Sequence, residues 1–310
     1  VVGTIAMLMI MQIDYRVYQR IAIAGVAVAY LLLIVVLSQG TEVAGSKRWI
    51  NLGLINLQPS ELSKLALVNF IAAYAASRPQ EMKRFWRGLM PPLLVTAGFF
   101  GLIMLEPDFG TAASMAGTAV IMLFACGARI LHLGLMASMA LPLLGVMIWL
   151  EPYRMERILS FVDPWADPMN TGWNIIQSLL AIGSGGLFGL GLGSSRQKFF
   201  YLPEQHTDFI FAILSEELGL LGGTITVLLF FLLAWRGFRI ALRAPDLFGC
   251  FLAVGITSMI ILQAVLNIGV VSGVLPVTGL TLPFISFGSS SLVVSLAGVG
   301  ILLNISKRAL

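Results

Sequence analysis

Nine apolar segments constrain this chain more than any other feature of its sequence. They lie at residues 1–13, 21–38, 62–77, 89–105, 111–127, 133–150, 208–235, 247–267 and 284–303. Each is close to the length of about 20 residues that a helix needs to cross a bilayer. The sequence therefore predicts an all-α fold, a polytopic bundle of transmembrane helices.

The balance of apolar and charged residues supports a membrane location. Of the 310 residues, 58% are hydrophobic and only 11% are charged, whereas a soluble domain carries roughly 25% charged residues. The simplest interpretation is a single integral membrane domain that spans residues 1–310. The two cysteines, Cys126 and Cys250, have no metal-ligand spacing and are predicted to be free thiols.

Charge divides the loops into two groups. One set of alternate loops holds 12 of the 19 basic residues and three acidic residues, and the other holds seven basic and 12 acidic residues. Because basic residues concentrate in cytoplasmic loops, the first set is predicted to lie in the cytoplasm. The basic residues occupy short loops and form no stripe, which argues against nucleic-acid binding.

The longest outer loop, residues 151–207, is long enough to contain smaller elements of its own. Pro164 and Pro168 interrupt its first part. Residues 173–193 begin as an amphipathic or re-entrant helix and end as a glycine hinge, which is tolerated at membrane depth only where protein or water covers the backbone. The loop near residues 268–283 is also broken by glycine and proline, a feature that often marks a substrate site.

After this loop, Asp208, Glu216 and Glu217 place three carboxylates within ten residues at the start of an apolar segment. An ionised group near hydrocarbon costs several kcal/mol, so these residues are candidates for function. Thr207 is predicted to be the helix N-cap, which would put Asp208 in the first turn, where the helix dipole favours a carboxylate. The alternative is that Asp208 is only a cap.

Farther along the same segment, Gly219 and Gly223 form a small-xxx-small pair. Such pairs let the backbones of neighbouring membrane helices approach closely. The sequence therefore predicts that this helix packs tightly through its two glycines.

Other polar residues of the outer side are candidates for substrate binding. They are Lys47, Arg48, Glu61, Lys64, Asp108, Arg196, Lys198, Glu204, His206, Ser289 and Ser290. Ser60 is predicted to be an N-cap, with Glu61 and Lys64 one turn apart on one helix face, and the alternative is a local ion pair beside a cap. A lone histidine at an interface is more often structural, so His206 ranks below Asp208.

The acidic and hydroxyl residues among these candidates also have simpler interpretations. Glu106 and Asp108 form a short turn and could be solvated residues of a membrane surface. The serines of residues 289–291 can bind an anion at a helix N-terminus or hydrogen-bond neighbouring helices. No Walker, zinc or G-x-S-x-G motif occurs in the sequence, so the pattern favours a phosphate-bearing, lipid-linked substrate that supplies its own energy.

Six motifs along nearly the whole chain resemble those of the SEDS family (shape, elongation, division and sporulation), bacterial proteins that polymerise peptidoglycan glycan strands. They are GSKRWINLG at 45–53, QPSELSK at 58–64, EPDFGTA at 106–112, GSGGLFGLGLG at 183–193, YLPEQHTDFIFAILSEELG at 201–219 and GVLPVTGLTLPFISFGSSS at 273–291. SRQKFFYLPEQHTDF and the ending LLNISKR are more similar to the FtsW and SpoVE branch than to RodA. Family members have ten helices, so we expect a first helix upstream of this sequence, and Ser289 occupies a family glycine position.

The resemblance implies a substrate and a catalytic residue. The substrate would be lipid II, a disaccharide-pentapeptide on undecaprenyl pyrophosphate, and the family's required aspartate maps onto Asp208. A carboxylate suits the base that activates a sugar hydroxyl. Cations suit the departing pyrophosphate, and the candidates are Arg48, Lys64, Arg196 and Lys198. Whether a divalent cation shares that work stays open.

The resemblance also implies partners and a location. We expect a class B penicillin-binding protein transpeptidase and other division or sporulation proteins as partners. We expect the bacterial cytoplasmic membrane as the location, with the active site facing outside. A lipid II flippase and a scaffold for a transpeptidase are the alternative functions. Charges are nearly absent from the inner halves of the helices, which favours the enzyme over a flippase.

Overall fold

The chain is helical along almost its whole length, as the sequence predicts. The computed structural model describes residues 1–43, 46–51, 53, 56–195 and 206–308. Its helices are α1 Val2–Ile10, α2 Arg16–Arg20, α3 Ala22–Gln39, α4 Pro59–Ser77, α5 Met90–Leu105, α6 Phe109–Ala125, α7 Ile130–Trp149, α8 Pro152–Val162, α9 Trp173–Ser184, α10 Ile210–Arg243, α11 Leu247–Val271 and α12 Ser289–Arg308. Short 3-10 helices at Glu81–Lys83 and Pro164–Ala166 and a π-helical turn at Phe85–Leu89 connect them.

Each of the nine predicted segments corresponds to one long helix or, for α1, a short one. Within the described residues, six helical stretches are long and apolar enough to cross a membrane. They are Ala22–Gln39, Phe85–Leu105, Ile130–Trp149, Ile210–Arg243, Leu247–Val271 and Ser289–Arg308. The apolar helix α6 is slightly shorter. The chain is therefore a multi-pass membrane protein with an all-α fold.

Three short strands occur in the first long loop. They are β1 Thr41–Val43, β2 Ser46–Asn51 and β3 Asn56–Leu57, arranged in the order β1-β2-β3 with antiparallel pairing. Thr41 pairs with Trp49, and Ile50 pairs with Leu57. This small sheet carries Lys47 and Arg48 and leads directly into α4.

Two compact units make up the chain. Unit 1 comprises Val1–Leu133, Leu233–Leu262 and Gly288–Leu310, and unit 2 comprises Gly134–Leu232 and Gln263–Phe287. In unit 1, fully buried side chains such as Ile71, Phe99 and Met122 fill the space between α3, α4, α5 and α6. In unit 2, a smaller cluster of apolar residues joins α9, α10 and α11, and it includes Ala181, Phe209, Phe211, Ala212, Ile213, Ala264, Val271 and Leu282.

Gly219 breaks α10, so the predicted close approach of backbones at this residue occurs at a break and not along a continuous helix. Its backbone has φ 68° and ψ −167°, which interrupts the helix, and this region of conformational space is accessible essentially to glycine alone. A Cβ on Gly219 would lie 2.4 Å from the backbone nitrogen of Gly189. The residue therefore allows a backbone-to-backbone contact with residues 183–193, which we call the glycine-rich segment, rather than a contact between two continuous helices.

The glycine-rich segment supplies the hydrogen bonds that the break removes from the helix. In a continuous helix, the Leu220 and Leu221 N–H groups would donate to the carbonyls of Glu216 and Glu217. Instead, Leu220 N donates to Gly186 O (2.8 Å) and Leu221 N donates to Leu187 O (3.2 Å). The freed carbonyls accept from the segment in return, Glu216 O from Leu190 N and Glu217 O from Gly191 N, both at 3.0 Å. The sequence predicts that protein or water covers the broken backbone of this region. In the structure, the glycine-rich segment and α10 cover each other by exchanging these four hydrogen bonds.

Candidate functional site

Asp208 lies in a turn in front of α10 rather than inside the helix. Residues 206–209 form this turn, and α10 begins at Ile210. The predictions that Thr207 caps the helix and that Asp208 belongs to its first turn are therefore wrong. The next residue, Phe209, is only 2% exposed and belongs to the apolar cluster of unit 2. Because this cluster includes Ala264 and Val271 of α11, burial of the Phe209 ring packs the turn against that helix.

The backbone of residues 206–208 is held by three donors, one from α11 and two from the loop before α12. His206 O accepts from Phe287 N at 2.8 Å. Thr207 O accepts from Ser286 Oγ at 2.5 Å. Asp208 O accepts from Asn267 Nδ2 at 2.7 Å. We call these three contacts the carbonyl clamp.

Gly279 lies beside the carboxylate of Asp208. A Cβ on Gly279 would be 3.5 Å from Asp208 Oδ2, and the glycine has φ +76°, a conformation that other residues rarely adopt. Gly279 belongs to the broken loop before α12. The loop that the sequence marks as a substrate-site candidate therefore forms one wall next to Asp208.

Glu216 and Glu217 do not face lipid as isolated charges. Glu216 is 1% exposed, and the hydroxyl of Ser195 donates to its carboxylate. The backbone N–H of Ser195 donates to Glu217 Oε1 at 3.4 Å. These contacts fix the end of the glycine-rich segment to α10 immediately before the break, which explains how two carboxylates fit into an apolar helix.

Unit 1 holds a second group of buried polar residues at the start of α4. Lys64 Nζ donates to Glu61 Oε1 at 2.8 Å, and the two side chains are only 3% and 6% exposed. The ion pair that the sequence left open as the alternative for these residues is therefore present, and it is buried, while their role in substrate binding stays a prediction. The N-cap of α4 is Gln58 and Pro59 occupies the first turn, so the prediction that Ser60 is the cap is wrong, because proline starts the helix one residue earlier than the serine.

Arg48 joins the small sheet to the turn between α5 and α6. Its Nε donates to Glu106 O at 2.8 Å and its Nη2 donates to Pro107 O at 2.6 Å. The guanidinium therefore satisfies two carbonyls at the end of α5, which have no partner within the helix. Lys47, the neighbouring cation, is exposed.

The two carboxylates of the same turn are buried rather than solvated. Asp108 is 4% exposed and its Oδ1 accepts from Thr111 N at 3.1 Å, as the N-cap of α6. Glu106 is 1% exposed, and within the described residues neither of its carboxylate oxygens has a hydrogen-bond partner. Burial, reinforced by the charge of Asp108, raises the pKa of Glu106 to about 8, although the nearby Arg48 opposes this shift. The carboxyl of Glu106 therefore carries a proton at neutral pH.

The serines at the start of α12 bind the first long loop. Ser289 Oγ and Ser290 Oγ both donate to Asn56 O, at 3.0 and 2.8 Å. Ser290 Oγ also accepts from Gln58 N at 2.9 Å. The sequence leaves open whether these hydroxyls bind an anion or hydrogen-bond neighbouring segments. In the structure they hydrogen-bond the segment that leads into α4.

The predicted site residues fall into two groups and a remainder. In unit 1, the structure brings Arg48 to the Glu106–Asp108 turn and Ser290 to the helix start that carries Glu61 and Lys64. In unit 2, it places His206, which is exposed, beside Asp208. Arg196, Lys198 and Glu204 lie outside the described residues. Across the part of the chain that the structure describes, no three His, Cys, Asp or Glu side chains are grouped so that they could hold a metal ion.

Sequence reasoning missed two polar residues of the carbonyl clamp. Asn267 is 1% exposed within an otherwise apolar stretch of α11, and Ser286 is 8% exposed in the loop before α12. A buried amide in a membrane helix is itself a signal of function. The sequence contains this amide, but it does not show that the amide binds a backbone carbonyl 59 residues away.

The fold and these sites define a polytopic helical membrane protein that buries charged and amide side chains at the ends of its helices. The model of one protein family, described as "Cell cycle protein" and covering FtsW, RodA and SpoVE, matches residues 1–309. The chain belongs to this family, the SEDS proteins. The expected family and its multi-pass fold are confirmed.

Named relatives and solved structures agree with this assignment. Stage V sporulation protein E of Bacillus subtilis is 50% identical over 308 residues, which cover 99% of this chain and 84% of that protein. A probable peptidoglycan glycosyltransferase FtsW of Geobacter metallireducens is 45% identical over 310 residues, with 99% and 83% covered. A peptidoglycan synthase complex that coordinates polymerization and crosslinking contains a chain with TM-score 0.82 and 32% identity, covering 99% and 87%. RodA of Thermus thermophilus has TM-score 0.73 and 32% identity, covering 99% and 84%.

Proposed function

We propose that this protein is a peptidoglycan glycosyltransferase that polymerises glycan strands from lipid II in cell division or sporulation. The observation that carries the proposal is Asp208, a carboxylate held by its backbone in a turn in front of a membrane helix, in a chain of this family. Relatives with 43–45% identity over nearly the full chain bear the name peptidoglycan glycosyltransferase. The whole family match supports transfer of that activity to this chain.

Asp208 would serve as the general base. Its carboxylate accepts the proton of the attacking sugar hydroxyl while that oxygen forms a bond to the anomeric carbon of the lipid-linked sugar. The bond from this carbon to the pyrophosphate oxygen breaks, and undecaprenyl pyrophosphate leaves with the electron pair. The new glycosidic bond lengthens the strand by one disaccharide, and the proton on Asp208 is returned to solvent.

The departing pyrophosphate needs positive charge, which several basic residues are proposed to supply. Arg196 and Lys198 precede Asp208 in the sequence. Lys64, held by Glu61 inside unit 1, and Arg48 are the further candidates. Charge-assisted hydrogen bonds of this kind are about twice as strong as neutral ones. A divalent cation could assist them in the same role, by neutralising the charge that develops on the leaving group.

An apolar groove in unit 2 suits the polyprenyl chain of such a substrate. It has a volume of about 540 Å³ and is lined by residues of α9, the glycine-rich segment and α10, among them Ile182, Leu187, Phe211 and Val227. Phe211, one of the lining residues, follows the proposed base Asp208 by three residues in the sequence. An apolar surface at this place favours a lipid-linked substrate over a soluble sugar nucleotide.

The location and partners follow from the same function. We propose that the protein resides in the bacterial cytoplasmic membrane with Asp208 facing outside, where the less basic set of loops lies. We also propose a class B penicillin-binding protein transpeptidase as its partner. The structural similarity to a chain of a peptidoglycan synthase complex that coordinates polymerization and crosslinking supports this pairing.

The experiment is polymerisation of labelled lipid II by the purified protein, with and without the cognate transpeptidase. The wild type is expected to form long strands, and Asp208→Asn and Asp208→Ala are expected to form none. Asp246→Asn, which alters a carboxylate among the basic loops, serves as the matched control and should polymerise normally. If the protein transports lipid II across vesicle membranes but does not polymerise it, the protein is a flippase and the proposed enzyme activity is wrong.

A further inference from the structure

The turn that carries Asp208 receives its position from tertiary contacts, since the residue lies outside α10. A carboxylate that acts as a base must be held within reach of the reacting hydroxyl. The helix does not supply that constraint, because Asp208 precedes it by two residues. The carbonyl clamp supplies such a constraint, together with the burial of Phe209.

Two contacts of the clamp fix the two peptide planes on either side of the Asp208 Cα. Thr207 O, which accepts from Ser286 Oγ, belongs to the peptide plane before this atom. Asp208 O, which accepts from Asn267 Nδ2, belongs to the plane after it. Because peptide units are planar and nearly rigid, holding both planes sets the two backbone dihedrals of Asp208 and therefore the direction of its side chain.

Asn267 also holds the wall beside the carboxylate. Its Nδ2 donates to Leu280 O at 2.6 Å as well as to Asp208 O. Leu280 follows Gly279, the residue that lies next to Asp208 Oδ2. One buried amide thus sets the position of the carboxylate and of the loop next to it.

Ser286 has a comparable double role. Its hydroxyl accepts from Leu282 N at 2.7 Å and donates to Thr207 O. The hydrogen bond from Leu282 orients the lone pairs of Ser286, so the hydroxyl proton is directed at the turn. Removing the hydroxyl would deprive the partly buried Thr207 carbonyl and the buried Leu282 N–H of this partner.

We infer that Asn267 and Ser286 are positioning residues that set the place of the Asp208 carboxylate through its backbone. This inference rests on the proposed function of Asp208 as the base. Both residues are buried, and Asn267 Nδ2 and the Ser286 hydroxyl bond to backbone groups, so these donors are not expected to touch substrate. The Asn267 Oδ1 has no hydrogen-bond partner among the described residues.

Matched variants separate positioning from ordinary structural support. Asn304 is also a buried amide that binds the backbone, through Tyr15 N (3.0 Å) and Met11 O (2.8 Å), far along the sequence from Asp208. Ser178 is a buried serine whose hydroxyl donates to Val271 O at 2.7 Å. Asn304→Ala is therefore the control for Asn267→Ala, and Ser178→Ala is the control for Ser286→Ala.

The measurement is the rate of lipid II polymerisation and the thermal stability of each purified full-length variant. A displacement of about 1 Å can lower a rate by about 100-fold, so kcat of Asn267→Ala is expected to fall by about 10- to 100-fold with KM within about twofold of the wild type. Ser286→Ala should show a smaller loss of the same type, and Ser286→Thr, which keeps the hydroxyl, should recover most of it. The two controls should lose comparable thermal stability but keep kcat.

A second measurement tests the clamp without using activity. Backbone hydrogen exchange of residues 206–212 should become faster in Asn267→Ala and Ser286→Ala, and stay unchanged in Asn304→Ala and Ser178→Ala. Unchanged exchange of this turn, or equal losses of kcat in the clamp variants and their controls, would overturn the inference. A wild type that makes no strands would refute the proposed function instead, and the exchange data would still decide whether the clamp holds the turn.

Discussion

Unit 1 contains a polar network at the end of α12, and it also contains buried polar residues at the start of α4 and in the turn between α5 and α6. These regions differ in how completely their polar groups are hydrogen-bonded. At the end of α12, Tyr15 OH donates to Asp246 Oδ2 (2.7 Å), Asp246 Oδ1 accepts from Gly249 N (2.8 Å), and Asn304 bonds through both its amide atoms. In the turn between α5 and α6, the two carboxylate oxygens of Glu106 have no partner among the described residues.

From this difference we predict that the first region serves the structure alone and that the second also serves function. Buried polar groups in folded proteins are nearly always paired, and an exception calls for an explanation such as a catalytic role or a ligand. The network around Tyr15 and Asp246 joins helix ends and needs nothing further. By contrast, Glu61 and Lys64 form a buried ion pair in α4, and the Glu106 carboxyl in the turn after α5 has no partner among the described residues. Both features are costly for stability alone.

The largest effect is expected from Lys64. Lys64→Ala should abolish lipid II polymerisation and destabilise the protein by about 3–5 kcal/mol, because it leaves the Glu61 carboxylate buried without its cation. The double variant Glu61→Gln/Lys64→Met removes both charges and should regain most of the stability. Polymerisation assays and thermal unfolding of both variants check this, and a double variant with full activity would make the pair purely structural.

Removing the Arg48 contacts should have the next largest effect. Arg48→Ala frees the carbonyls of Glu106 and Pro107 and withdraws a nearby positive charge, so polymerisation is expected to fall by at least about tenfold. Arg48→Lys keeps the charge but cannot reproduce the fork of donors, and should lie in between. Normal polymerisation by Arg48→Ala would show that these contacts to the turn between α5 and α6 are not needed for activity.

Glu106 predicts an unusual dependence of stability on pH. Its pKa rises from 4.5 to about 8 on folding, so the folded state keeps a proton that the unfolded state has lost between these values. Stability should therefore fall as pH rises from about 4.5 to about 8, and Glu106→Gln should remove this slope. Melting temperatures of both proteins across this range test the point, and parallel curves would show that Glu106 is ionised in the folded state.

The smallest effect is expected in the satisfied network. Tyr15→Phe removes one hydrogen bond to Asp246, which keeps its contacts to Gly249 N and to Arg16 Nε at 3.1 Å. The free energy of unfolding should fall by about 1 kcal/mol, while polymerisation per folded molecule stays unchanged. A selective loss of activity in Tyr15→Phe would show that this network also serves function and would contradict the distinction between it and the buried residues Glu61, Lys64 and Glu106.

The sequence by itself determined the membrane fold, the number and places of the long helices, and the family. These properties depend on hydrophobic length and on local motifs, which are readable residue by residue. The buried pair of Glu61 and Lys64 was predictable for the same reason, since its partners are one helical turn apart.

Only the tertiary structure decided how the backbone bends around the candidate site. The break at Gly219, the start of α10 beyond Asp208 and the carbonyl clamp all depend on hydrogen bonds between segments distant in sequence. A local pattern identifies Gly219 as small and Thr207 as a possible cap, but it does not show which carbonyls a distant segment will bind. Because every buried backbone group needs a partner, those distant partners, and not local propensity, determine where the helix begins and where it breaks.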